Sequence, residues 1–151
     1  MQHIGIDIIE ISRIEQAIRH WGDRFLQRVY TNREINLYRK KAASLAARFA
    51  AKEAVMKALD TGDKGIGFRD IEIISGPNGK PVVKLHGPAK RLATELGIVN
   101  LAVSLSHSRD NAAAVAIALN DQINTDYPQH SLLKKKSGIP SGGGFGGVPR
   151  P

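Results

Sequence analysis

LAARFAAKEAVMKAL, residues 45–59, is the stretch from which the rest of the chain is read. It contains no Pro or Gly, and Ala, Leu, Lys, Glu and Met are strong helix formers. The run therefore predicts a central helix from about Ala42 to Asp60. At about 100° per residue, Ala46, Phe49, Ala50, Met56 and Lys57 fall within roughly 60° of Glu53. The apolar stripe of this helix thus carries a carboxylate near its middle and an ammonium beside it. Its many Ala side chains leave room for another backbone or a ligand to come close. Charge on a buried face is costly unless a partner, a metal or a substrate satisfies it. The plainer alternative is a surface Glu–Lys pair at i,i+4, worth only a few tenths of a kcal/mol. A partner for Glu53 elsewhere in the chain decides between the two.

Upstream, QHIGIDIIE at 2–10 reads as a strand, with Ile4, Ile6 and Ile8 on one face and Gly5, Asp7 and Ile9 on the other. An Asp in mid-strand opposes β-propensity, and such local conflicts collect at functional sites. Ser12-x-x-Glu15 is a capping-box pattern that opens a helix whose buried stripe is Ile14, Ala17, Ile18 and Trp21, with Gly22 ending it. Arg13, Arg19, Arg24 and Arg28 lie off that stripe and make this the most basic region. Thr31-x-x-Glu34 is a second capping box, starting a short polar helix through Arg39 or Lys41.

Downstream, TGDKGIG at 61–67 is a loop whose glycine spacing fits neither a P-loop nor a dinucleotide fingerprint. Residues 68–75 and 81–86 read as strands joined by the turn Gly76-Pro77-Asn78-Gly79. A short helix at about Pro88–Leu96 ends on Gly97. VNLAVSLSH at 99–107 alternates Leu101, Val103 and Leu105 against Asn100, Ala102, Ser104 and Ser106, and Ala112–Leu119 returns as a strand of small residues. His107 stands at the rim of that hairpin beside Ser106, Ser108 and Arg109, a group of donors suited to phosphate oxygens. Residues 120–151 lose periodicity and end in SGIPSGGGFGGVPRP, which predicts a flexible Gly/Pro-rich tail behind a domain at 1–119.

The 151 residues hold no Cys, which excludes disulfides and thiolate zinc sites. No apolar run is long enough for a membrane-spanning helix, and a start carrying Asp7 and Glu10 does not read as a signal peptide. The expected setting is the cytoplasm. Residues 1–119 carry 18 Lys+Arg against 12 Asp+Glu, which favours an anionic partner. A nucleic-acid-binding module is one such reading. It lacks a helix-turn-helix pattern, zinc spacing or an RNP-type strand, has eight aromatics to stack bases, and leaves Asp7 and Glu53 unexplained. Two carboxylates on neighbouring elements of a basic protein suit a hard cation such as Mg²⁺. With Lys57, His107 and Arg side chains nearby, such a site would hold a metal-bridged pyrophosphate for phosphoryl transfer. A glycosidase-type carboxylate pair can be written from the same two residues, but the basic surroundings and scarcity of Trp and Tyr oppose it.

GIDIIEISRIEQA at 5–17, RFAAKEAVMKAL at 48–59, PNGKP at 77–81 and VSLSHSRDNAAAVAI at 103–117 together resemble the holo-[acyl-carrier-protein] synthases, the short 4′-phosphopantetheinyl transferases. The resemblance covers about residues 1–119 and implies an α+β fold, a small antiparallel sheet packed with a long central helix, assembling as a homotrimer with active sites between subunits. It implies transfer of 4′-phosphopantetheine from coenzyme A to a serine of apo acyl carrier protein, with release of adenosine 3′,5′-bisphosphate. Asp7 and Glu53 would hold Mg²⁺, and Lys57 would act on the phosphates. Lys57, His107, Ser106 and Arg48 would bind coenzyme A, while Arg13, Arg19 and Arg24 would dock the acidic carrier protein. The serine proton would go to Glu53 or to a water at the ion. Larger relatives carry another acidic ligand two residues after the strand Asp; here that position is Ile9. No nucleic acid or membrane is expected as a partner.

Overall fold

The computed structural model describes residues 1–121, and the predicted tail, from residue 122 onward, lies outside the described residues. Strand β1 (Gln2–Glu10) runs directly into helix α1 (Ile11–Trp21), followed by α2 (Asp23–Val29), α3 (Asn32–Tyr38) and the central α4 (Ala42–Ala58). A single turn of 3₁₀-helix (Phe68–Asp70) leads into the hairpin β2 (Ile71–Ser75) and β3 (Pro81–Leu85). Helix α5 (Gly87–Glu95) and the hairpin β4 (Ile98–His107) and β5 (Asn111–Asn120) complete the described chain. The architecture is α+β, as expected. β1, β5 and β4 form an antiparallel sheet in that spatial order, and β2 and β3 form a separate ribbon.

Helix α4 lies across one face of the larger sheet, and its Ala side chains explain how closely. Ala46, Ala50, Ala51 and Ala54 have no exposed surface, and neither do Ala112, Ala116 and Ala118 of β5. Small residues on both sides bring backbones together. The limiting contact is Gly5, where an added Cβ would stand 1.8 Å from the Ala54 carbonyl oxygen. Leu45, Val55, Leu59, Ile71 and Ile73 fill the core on either side of the helix.

Three sequence expectations are corrected. The stripe around Glu53 is not the buried face of α4. Leu45, Ala46, Ala47, Ala50, Ala51, Ala54 and Val55 are buried almost all the way round, whereas Phe49, Glu53 and Met56 are half-buried and Lys57 is exposed. The sheet covers one side of the helix and β2, α1 and α3 cover the other, leaving the Glu53–Lys57 side open. The Ser12 capping box does not form. The Ile11 amide instead donates to the Asp110 carbonyl at 2.8 Å, and α1 begins two residues earlier, on Glu10 as cap. Trp21 is 55% exposed rather than part of the buried stripe. Gly22, at φ 56°, turns the chain at once into the unforeseen α2, and among the described residues Trp21 is left at the surface.

The Thr31 capping box forms as read, but α3 is not polar throughout. Glu34 is completely buried and accepts from the Thr31 amide at 2.8 Å and the Ile73 amide at 2.9 Å. Its third partner is Lys52 of α4, also without exposed surface, 2.7 Å away. The alternation in the strands holds. Gly5, Asp7 and Ile9 face α4, while Ile4, Ile6 and Ile8 stand on the outer face of the sheet, each more than 60% exposed.

Candidate active site

Asp7 enters the site because strand alternation aims it at α4, two residues from the Gly5–Ala54 contact. Glu53 is the next residue back from Ala54, and Lys57 follows one helical turn later on the same open side. The Lys57 ammonium donates to Asp7 Oδ1 at 3.0 Å and to the Ile6 carbonyl at 2.9 Å. The Asp7 side chain keeps 20% of its surface and that of Lys57 53%, so the cluster sits at the mouth of the β1–α4 seam. The Glu53 carboxyl is pushed above its ordinary range, first by burial and then by the Asp7 charge, with Lys57 pulling the other way. A carboxylate held uncomfortably beside another is relieved by a cation. No third His, Asp or Glu joins them into a metal-binding group among the described residues. Two carboxylates, with water or phosphate oxygens for the remaining positions, fit a hard, oxygen-seeking ion such as Mg²⁺. Ile9 is 8% exposed and packed in the core, so it adds no ligand.

The other sequence candidates lie elsewhere. His107 closes β4 opposite Ala112, in the same cross-sheet row as Ile9. Alternation puts it on the α4 face, but two strand spacings from β1, about 10 Å away. Ser106 belongs to the opposite face, and both residues are exposed. Within one chain neither meets the carboxylates. Arg48 also points away: it donates to the carbonyls of Ile73 at 3.1 Å and Ser44 at 3.3 Å and to Ser75 Oγ at 3.2 Å. Its guanidinium lies 3.5 Å above the Tyr38 ring. Arg13, Arg19 and Arg24 are exposed on α1 and α2. Arg24 lines an open groove with Trp21, Phe25, Gln27, Arg28 and Arg69, a basic and aromatic surface of which only Arg24 and Arg28 were expected. The Lys52–Glu34 pair was missed as well. Its signal was a second cation, Lys52, set among alanines directly before Glu53.

The α4–β1 site and the sheet order set the class of protein, and comparison agrees: the family model of the 4′-phosphopantetheinyl transferase superfamily matches residues 3–118. The chain is 50% identical over 122 residues to a holo-[acyl-carrier-protein] synthase of Herpetosiphon aurantiacus, covering 76% of this chain and 96% of the relative. A synthase of the same name from Moorella thermoacetica is 51% identical over 120 residues, covering 78% and 93%. Among solved structures, the Helicobacter pylori holo-[acyl-carrier-protein] synthase in complex with coenzyme A superposes with a TM-score of 0.70 at 38% identity, covering 77% of this chain and 99% of that one. The Neisseria meningitidis enzyme gives 0.72 at 34%, covering 78% and 98%. The chain belongs to the holo-[acyl-carrier-protein] synthases and is an enzyme of the transferase class.

Proposed function

We propose that this enzyme moves 4′-phosphopantetheine from coenzyme A to a serine of apo acyl carrier protein, in a Mg²⁺-dependent reaction that releases adenosine 3′,5′-bisphosphate. The observation that carries the reading is the meeting of Asp7, Glu53 and Lys57 at the β1–α4 seam. The serine oxygen attacks the phosphorus that bears pantetheine, and the bond from that phosphorus to the bridging pyrophosphate oxygen breaks, so that this oxygen leaves with adenosine 3′,5′-bisphosphate. Lys57, with half its surface in water, is free to leave Asp7 for a phosphate oxygen and offset charge on the leaving group. Glu53, its affinity for protons raised by burial and by Asp7, is suited to accept the serine proton; water is the alternative acceptor. Bound at Asp7 and Glu53, Mg²⁺ would supply electrostatic stabilisation of the pyrophosphate.

A single chain leaves His107 and Ser106 away from this cluster, and the outer sheet face supports a homotrimer with sites between subunits. Ile4, Ile6 and Ile8 of β1 line up with Ile117, Val115 and Ala113 of β5, a contiguous apolar stripe on the outer face in which the three β1 isoleucines are each more than 60% exposed. In such an assembly Ser106 and His107 of one copy would hold coenzyme A beside the carboxylates of another. Arg48 was assigned the same role, but its four internal contacts argue for a structural one. Exposed Arg13, Arg19 and Arg24 would receive the acidic carrier protein, mainly setting association rate and salt sensitivity. We assign this activity to residues 1–119, in the cytoplasm. No helix of the described chain is long and apolar enough to cross a membrane.

The test is direct. Incubated with apo acyl carrier protein, coenzyme A and Mg²⁺, the enzyme adds one phosphopantetheine arm to the carrier, read by mass spectrometry. Asp7→Ala and Glu53→Gln abolish the gain while circular dichroism stays native. Full transfer by either variant overturns the assignment.

A further inference from the structure

Lys52 is a fully buried cation with a partner for every proton of its ammonium. Its ammonium has no exposed surface and three protons, and it makes three short contacts: Glu34 Oε1 at 2.7 Å, the Ile71 carbonyl at 2.6 Å and the Phe68 carbonyl at 3.0 Å. Glu34 is matched as completely, by Lys52, the Thr31 amide and the Ile73 amide. One ion pair therefore ties α4 to the start of α3, to the 3₁₀ turn and to β2. Thr31 extends the network, donating its hydroxyl to Glu72 at 2.6 Å.

For stability alone such a pair is a poor choice. Burying two charges costs about as much as their attraction returns, and apolar residues of like volume commonly do as well or better. A buried pair does have a use where register must be fixed, because its hydrogen bonds are directional and apolar contacts are not. Register is the weak point of α4. The faces it buries are mostly alanine, a smooth surface with few protrusions to resist sliding or rotation. A slip of one residue carries a side chain about 1.5 Å along the axis and about 100° around it. The residue after Lys52 is Glu53.

We infer that Lys52, held by Glu34, is a positioning residue for the transferase, fixing the axial and rotational setting of α4 so that Glu53 and Lys57 meet Asp7. This rests on the site reading given above. The pair grips α4 from the side opposite β1, and the Gly5–Ala54 contact seats it from the other. The carboxylate and ammonium of the site lie within five residues of that clamp.

The test uses the full chain. Single Lys52→Met strands a buried Glu34 charge and should lower the melting temperature sharply. The informative variant is Lys52→Met with Glu34→Met, which removes both charges and keeps the volume. The double variant removes the stranded charge and is expected to melt well above the single one. The Ile71 and Phe68 carbonyls and the Ile73 amide lose their partners, which keeps it at or below the wild-type temperature. Its kcat should nevertheless fall about tenfold or more, the scale of loss that a misplacement of about 1 Å produces. Its KM for coenzyme A should stay within about twofold, since no substrate contact is removed. Mn²⁺ titrated in the presence of coenzyme A and followed by electron paramagnetic resonance should bind more weakly at a temperature where circular dichroism is native, which excludes loss of folded protein as the cause. A well-folded double variant with wild-type kcat and Mn²⁺ affinity overturns the positioning role and leaves the site reading standing. Wild-type turnover by Glu53→Gln in the same series defeats both.

Discussion

The Lys57 ammonium and the Asp7 carboxylate meet at 3.0 Å, joining the last turn of α4 to the middle of β1 at the point where Glu53 also arrives. With Lys57 more than half exposed, water screens the pair and limits its worth to stability to about 1 kcal/mol or less. Its value lies in charge delivered to the seam. Lys57→Met is accordingly expected to change the melting temperature by about 2 °C or less and to cut kcat/KM for coenzyme A by about 10²-fold. Thermal melts beside steady-state transfer assays separate the two effects, and equal falls in stability and rate would reduce Lys57 to a structural residue.

Gly5 sets how near the two elements come. Any Cβ there would overlap the Ala54 carbonyl, 1.8 Å away, and that obstacle is backbone rather than a yielding side chain. Gly5→Ala must push β1 off α4, an overpacking defect of about 1–3 kcal/mol. The displaced strand also carries Asp7 away from Glu53. Chemical denaturation should register the instability, and activity measured far below the melting temperature should still be reduced. Native stability in this variant would contradict the close seam.

Apart from α2, the element order was legible because each element writes its own period into the sequence. The β4 alternation, the Gly76–Gly79 turn and the glycine-free run of α4 are local signals, and the structure follows all three. What stayed hidden depends on what packs over an element. Trp21 sits at a helical spacing suited to burial, yet the turn at Gly22 leaves it uncovered. Glu34 reads as half of a capping box and is that, but its depth depends on Lys52, eighteen residues further on. Asp7 and Glu53 could be named from their disagreement with the apolar residues around them. That they converge follows from the Gly5 contact, which no period reveals.

Two carboxylates of opposite character give the enzyme an acid response that can be worked out in sign. Burial raises Glu72, but the Thr31 hydroxyl, His86 and Arg33 outweigh it and hold the carboxyl below its ordinary value near 4.5. Between the two values the unfolded chain binds the proton more readily. Glu72 therefore stabilises the fold above its ordinary value, and this contribution is lost as pH falls through the depressed folded one. Glu53 has the reverse sign. Its raised folded value means the ionised group costs stability as pH climbs from its ordinary value through the folded one. In metal-free melts, Glu72→Gln should lower the melting temperature near pH 7 and lose part of the acid slope below about pH 4.5. Glu53→Gln should raise it near pH 7, the usual exchange of stability for function at a charged site. Opposite shifts in these two variants would mean that the environments assigned to them are wrong.

The outer face of the sheet supplies a last prediction, on assembly. Ile6 is 67% exposed and lies between Ile4 and Ile8 on β1, with Val115 across from it on β5. None of these side chains touches α4, so a charge at Ile6 leaves the inner face and its core intact. Ile6→Glu should keep native circular dichroism and a melting temperature measured at low concentration. If the proposed trimer packs through this face, the light-scattering mass should nevertheless fall from three chains to one. If sites form between copies, transfer falls with the mass, and raising protein concentration restores part of both, because association follows mass action. An Ile6→Glu monomer with full activity would show that one chain completes the site unaided, and a variant that remains a trimer would move the interface off this face.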